Sequence, residues 1–261
     1  MEFKFQSEKV KFFVKTGIVV LTLLVIIGIG VKYIPKIVTV TNSANAKELP
    51  IYSVSTNEEK VSITFDTAWG NEDITDTLAI LDKYNVKATF FMTGDWVTTY
   101  PEDVKAIAKA GHDLGNHSDS HKHMSQLTKE QSKEEIMKVH NKVKELTGLE
   151  MSLFRAPYGD FNNSLIDLTK ELDYYCIQWN VDSLDWKDYS AKSIIDTVLK
   201  NENLDNGSII LMHNGSKYTT EALEAVIIGL MDKGYSIVPI SRLIHKGDYY
   251  MGLDGTQYRK K

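Results

Sequence analysis

Residues able to do chemistry stand at five places in this chain, in order. They are Asp66 in T-F-D-T-A-W-G, His117 and His121 in G-N-H-S-D-S-H, Arg155 and Tyr158 in F-R-A-P-Y-G, Asp182 and Asp185 in V-D-S-L-D-W, and His213 in L-M-H-N. Two histidines four apart share a face if the segment is helical, and such a pair suits a metal ion. Each place also has an ordinary structural use. An aspartate at a strand end caps a helix or forms a turn, and a strand-end histidine can be satisfied by local hydrogen bonds. His112 and His123 read as bystanders, and Cys176, inside the apolar run Y-Y-C-I-Q-W, reads as a core residue. The chain has no glycine-rich phosphate loop and no serine in a nucleophile elbow. What resists the ordinary reading is the conjunction of titratable side chains at five successive strand ends.

Those strand ends come from a regular hydrophobic rhythm. Strands are predicted at Val61 to Phe65, Lys87 to Met92, His112 to Asn116, Tyr174 to Trp179, Ser208 to Met212 and Tyr235 to Val238. Between them lie helical faces such as Ile74, Leu78 and Leu81, a long helix from Lys129 to Leu146, and helices over Ile194 to Leu199 and Ala222 to Met231. Strands alternating with helices imply an α/β fold with a parallel sheet covered by helices, open or closed into a barrel. In such folds functional residues gather at the carboxyl ends of the strands. No internal boundary interrupts the alternation, so one domain is expected.

Composition narrows the class. With 261 residues, 43% hydrophobic and 25% charged, the chain can bury a sizeable core. It is neither disordered nor a polytopic membrane protein. One cysteine excludes a disulfide scaffold. The net charge of −5 argues against nucleic acid as a partner. That charge is uneven: six lysines and two glutamates give residues 1–36 a charge of +4, leaving −9 behind them.

The basic end surrounds sixteen uncharged residues, Thr16 to Val31, bracketed by Lys15 and Lys32. Lysines at both edges can snorkel outward, so the stretch reads as a transmembrane helix that ends at Pro35. The lysine excess before it places the N-terminus in the cytoplasm and the rest outside the cell membrane. A cleaved signal peptide is the rival reading, because Ala44-Asn45-Ala46 resembles a cleavage site, although that site lies far beyond the apolar run. The expected organisation is a cytoplasmic tail (1–14), a single-pass anchor (15–35), a linker (36–58), a catalytic domain (59–246) and a polar, peripheral tail (247–261).

The ordered motifs T-F-D, H-S-x-x-H, R-x-P-Y, D-x-x-D-W and L-x-H resemble the polysaccharide deacetylases of the NodB-homology type. The resemblance runs over most of 59–246, and the W-G after T-F-D-T is similar to a clade from spore-forming bacteria. It implies a distorted (β/α) barrel of about seven strands and hydrolysis of N-acetyl groups on amino sugars of cell-wall peptidoglycan or a related polysaccharide. It also implies residue roles. Asp66 is the base and Arg155 its partner; His213 is the acid and Asp185 orients it. His117 and His121 hold a divalent metal (zinc, cobalt or manganese), while Tyr158, Trp186 and Leu211 bind substrate. One position departs from the family pattern: Thr67 stands where a second acid usually completes the metal triad. Either a nearby acid (Asp73 or Asp119) substitutes, or two histidines and water hold the metal weakly, or activity is lost and a glycan-binding module remains.

Overall fold

In the computed structural model, residues 48–260 are described; the expected tail and membrane anchor lie outside them. Among the described residues no helix is long and apolar enough to cross a membrane. In chain order the elements are β1 (Ser53–Val54), β2 (Lys60–Thr67), α1 (Ile74–Lys83), β3 (Thr89–Met92), α2 (Gly94–Thr99), α3 (Pro101–Lys109), β4 (Asp113–Asn116) and α4 (Lys129–Thr147). There follow β5 (Leu153–Phe154), α5 (Asn163–Glu171), β6 (Tyr175–Cys176), β7 (Val181–Asp182), α6 (Ala191–Leu199) and β8 (Ile209–His213). The chain continues through α7 (Thr219–Asp232), β9 (Ser236–Ile237), α8 (Ile240–Leu243), β10 (Tyr249–Met251) and β11 (Thr256–Arg259).

Local chemistry sets these boundaries. Pro101 opens α3, with Glu102 and Asp103 in its first turn and Lys109 in its last, each matching the helix dipole. A reciprocal capping box between Thr128 and Gln131 starts α4, and Gly148 ends it at φ 72°.

The main sheet runs β6-β5-β4-β3-β2-β8-β7, with β9 beside the start of β2. Every pairing in it is parallel. Period-2 alternation divides β2. Val61, Ile63 and Phe65 join the large core under the helices, while Ser62, Thr64 and Asp66 turn to the opposite, inner face. That inner face holds a second apolar cluster, including Phe91, Leu153, Ile177 and Ile209, to which α8 contributes Ile240 and Leu243.

The barrel is not closed by strand pairing, because β6 and β7 are its two edges. Only residues 177–180 join those edges, and a chain that short spans at most about 17 Å. The sheet must therefore curl until its edges nearly meet. The gap is filled from the expected linker. The Ile51 N–H donates to the Cys176 carbonyl and the Gln178 N–H to the Ile51 carbonyl (2.8 and 2.7 Å), while the Val54 N–H donates to Gly207 (3.0 Å). Ile51 and Val54 are buried. The expected peripheral tail also differs: β11 pairs with β1 and β10, and Gln257 is fully buried. These segments are too short and too polar for periodicity to reveal. Strands β5 and β7, two residues each, escaped prediction for the same reason.

Candidate active site

Each of the five places lies at the carboxyl end of a parallel strand or just beyond it. Asp66, near the end of β2, is drawn inward by the alternation that places Thr64 on the same face. Arg155 follows β5 and is completely buried. Its Nη1 donates to Asp66 Oδ1 at 2.6 Å, and its Nη2 donates to Thr64 Oγ1 (2.9 Å) and the Gln178 carbonyl (3.2 Å). The guanidinium lies over the Phe91 ring at 4.1 Å. Burial pushes the Asp66 pKa up, but the charge of Arg155 above all, with the charge of His213 and the hydrogen bond from Arg155, outweighs it and holds the carboxyl below its ordinary range. Asp66 is thus ionised at neutral pH.

His117 follows β4 and is buried. Its Nδ1 meets the Arg155 carbonyl at 2.8 Å, so Nδ1 carries the proton, and Nε2 faces Asp66 Oδ2 at 3.4 Å. The ring of His121 lies 5.0 Å from that of His117. The pair does not share a helical face: it sits in an irregular loop, with Ser118 at φ 64° and His121 at φ 52°. Burial lowers both histidine pKa values, that of His121 to about 4. Both rings are therefore neutral.

His213 ends β8, the strand next to β2, in register with Asp66. Its Nδ1 meets Asp185 Oδ1 at 2.7 Å, and its backbone N–H donates to Asp185 Oδ2 at 2.7 Å. The Thr219 hydroxyl donates to the same oxygen (2.7 Å) and the Trp186 N–H to Oδ1 (2.9 Å), so a fully buried carboxylate is satisfied on both oxygens. Burial disfavours the imidazolium, but the hydrogen bond and charge of Asp185, with Asp66 and Asp182, outweigh it and raise the His213 pKa.

Asp66, His117, His121 and His213 open into one cavity of ≈ 370 Å³, walled by Trp69, Tyr158, Trp179, Asp182, Trp186 and Leu211. Every site residue expected from sequence lines it except Arg155 and Asp185, which stand behind Asp66 and His213. Tyr158, in a turn at φ 60°, stacks on His123 at 4.2 Å and meets His121 edge-on at 4.6 Å. His123 lies outside the cavity wall and touches it through Tyr158, whereas His112 is a core group accepting from the Ala88 N–H. Sequence reasoning assigned no role to Trp69, Trp179, Asp182, Thr64 or Thr219. Alternation from Asp66 could have found Thr64; nothing local marks Thr219.

The donor set fits a cation held by two protein ligands, not three. His117 and His121 are neutral, and the Nε2 of His117 is free of the hydrogen bond made by Nδ1. Among the described residues no three His, Cys, Asp or Glu side chains come together as a metal site. Thr67 is fully buried, lies outside the cavity wall and turns its hydroxyl back to the Phe65 carbonyl (3.4 Å). Neither proposed substitute replaces it. Asp73 accepts from the Gly215 N–H (2.9 Å), and Asp119 pairs with Lys142 (2.9 Å). Neither lines the cavity.

The sequence profile of the polysaccharide deacetylase family matches residues 53–177. A peptidoglycan-N-acetylglucosamine deacetylase of Bacillus cereus is 34% identical over 191 residues, taking in 70% of this chain and 68% of that protein. The chain belongs to the polysaccharide deacetylase family. The Bacillus subtilis protein YlxY is 37% identical over 195 residues, and the match spans 75% of this chain but only 60% of YlxY. Among solved structures, a family 4 carbohydrate esterase pseudoenzyme of Bacillus anthracis is similar, with a TM-score of 0.71 and 31% identity over 80% of this chain and 72% of that one. A mutant of that pseudoenzyme has restored enzymatic activity; it matches with the same TM-score of 0.71 and 33% identity, over 79% of this chain and 72% of that one.

Proposed function

We propose that this chain is a peptidoglycan N-deacetylase, held by an N-terminal helix on the outer face of the cell membrane. The observation that carries the reading is a pair of oriented groups, side by side on adjacent strands and facing one cavity. A carboxylate is kept ionised by Arg155, and an imidazole is kept chargeable by Asp185.

The reaction follows from those two states. Water adds to the acetyl carbonyl carbon while Asp66 takes its proton. The carbon–nitrogen bond then breaks as His213 gives a proton to the departing nitrogen, leaving acetate and a free amine. The N–H of Tyr158 helps hold the charge that develops on the carbonyl oxygen. Leu211 and Trp186 enclose the acetyl methyl. His117 and His121 would hold a divalent cation (zinc, cobalt or manganese), which supplies Lewis-acid polarisation of the carbonyl and activation of water. Incubating the full-length protein with each of these cations and wall glycan is expected to release acetate. Failure with all three on several glycans, in folded protein, would sink the reading.

One observation favours a second reading, a catalytically silent glycan-binding module: Thr67 offers no carboxylate to a cation, and pseudoenzymes occur among similar structures. Thr67→Asp separates the two. Acetate release that appears only in the variant, with zinc-dependent thermal stabilisation greater than in wild type, supports loss of activity at this position. Equal activity in both proteins supports hydrolysis by the chain as it stands.

A further inference from the structure

Trp69 is a large apolar side chain that the fold keeps at the mouth of the cavity. It is 57% exposed, and the two other strongly exposed aromatics on the cavity wall are Tyr158 (61%) and Trp186 (54%). Its backbone is held firmly all the same. Asn214, almost fully buried, donates through Nδ2 to the carbonyls of Trp69 (2.6 Å) and Gly70 (2.9 Å). Trp96 Nε1 also donates to the Gly70 carbonyl (2.6 Å). Gly215, at φ 73°, has no side chain where a Cβ would lie 2.8 Å from the Trp69 carbonyl. The indole stands 5.4 Å from the His121 ring and 6.5 Å from that of His213. Three hydrogen bonds from buried donors thus fix a loop whose side chain is left in water.

A cavity of ≈ 370 Å³ is at the small end of ligand sites, which run from about 300 to 1,000 Å³. In a polymer the units flanking the one held in the cavity meet its rim, where Trp69 stands. The C–H-rich face of a pyranose is apolar and packs against the face of an aromatic ring. We propose that Trp69 is a sugar platform for the unit next to the one being deacetylated, so that the protein selects internal units of a glycan strand over single amino sugars. The proposal rests on the reading of the cavity as an amino-sugar site. Asn214 acts through the Trp69 loop and is a positioning residue. Tyr158 and Trp186, exposed on the same cavity wall, offer further aromatic surface to the strand.

The test is calorimetric binding of N-acetylglucosamine and its β-1,4-linked oligomers of two, four and six units to full-length protein in detergent. Wild type should bind the longer oligomers more tightly than the monosaccharide. Trp69→Ala should lose about tenfold on four and six units, the scale of one aromatic contact. Its affinity for the monosaccharide should not change. Trp69→Phe should recover most of the loss, and Leu253→Ala, at a fully exposed position away from the cavity wall, should match wild type. An equal loss at every length would overturn the proposal, since it would mean that Trp69 merely props His121. Unchanged affinity, or wild-type binding that ignores length or is absent, would also overturn it. Wild type that binds by length but releases no acetate leaves the platform standing and overturns hydrolysis instead.

Discussion

At the scale of single residues, the Arg155–Asp66 pair couples stability to chemistry. Arg155 is completely buried, and its charge is balanced chiefly by Asp66 at 2.6 Å. Breaking one side of a buried pair leaves an uncompensated charge and costs on the order of 3 kcal/mol. Asp66→Asn keeps the shape but loses the charge. It should lower the urea-unfolding stability by about that amount and reduce turnover by at least about a hundredfold, the usual contribution of a general base. A variant as stable as wild type would mean that Thr64 and the Gln178 carbonyl alone satisfy the guanidinium. The same pair sets the acid side of the pH profile. Asp66 must be ionised and His213 protonated. The first condition holds above a carboxyl pKa depressed below its ordinary value of about 3.9, the second below an imidazole pKa raised above about 6.5. Acetate release should therefore follow a bell, its acid limb below about 3.9 and its alkaline limb above about 6.5. Asp185→Asn, which removes the charge and hydrogen bond that raise His213, should pull the alkaline limb down. A limb that does not move would detach His213 from the acid role.

At the scale of elements, strand pairing transmits packing to this pair. In the β3–β4 register Gly115 lies opposite Phe91, and a Cβ on Gly115 would fall 2.4 Å from Phe91 Cδ1. Phe91 in turn carries the Arg155 guanidinium on its ring. Gly115→Ala should cost about 1–3 kcal/mol by overpacking and lower kcat more than KM, because the disturbance reaches Asp66 through Arg155. Adding Phe91→Leu should restore part of the stability; no restoration would mean that the strain lies elsewhere. This coupling also explains what the sequence could and could not reveal. The long strand β2, the buried run of β8 and the amphipathic α4 declare themselves by periodicity, and Asp66 and His213 stand at the ends of the two strands. Strands β5 and β7 declare nothing, because two residues have no period. The i, i+4 spacing of His117 and His121 says nothing about φ, and positive φ values at Ser118 and His121, not a helical face, bring the rings together. Trp69 stood in plain sight beside the base, but its use depends on Asn214, 145 residues away, which no local pattern connects to it.

At the scale of the whole molecule, the barrel is closed by its ends. Residues 51–54 fill the seam between β6 and β8, and β11 holds β1 in place. The key to this arrangement is Gln257, fully buried between them. Its Oε1 accepts from the His245 N–H (2.8 Å), and its Nε2 donates to the His245 carbonyl (2.9 Å), so one side chain satisfies both backbone groups of a residue on the far side of α8. An unsatisfied buried backbone group costs about 1–3 kcal/mol. Gln257→Ala strands two such groups and should destabilise the fold by several kcal/mol in total, on that scale. Gln257→Glu should cost nearly as much, since a carboxylate can accept from the N–H but cannot donate to the carbonyl. Tyr250→Ala, at an exposed position on β10, should have little effect. Urea denaturation of the three variants, read alongside wild type, tests the seam directly. Gln257 itself is not part of the cavity wall, although the seam runs on to Gln178, whose carbonyl accepts from Arg155 (3.2 Å). The surviving folded fraction of Gln257→Ala should therefore keep wild-type activity per molecule, and a loss of specific activity matching the loss of stability would mean that closure of the barrel reaches the site itself.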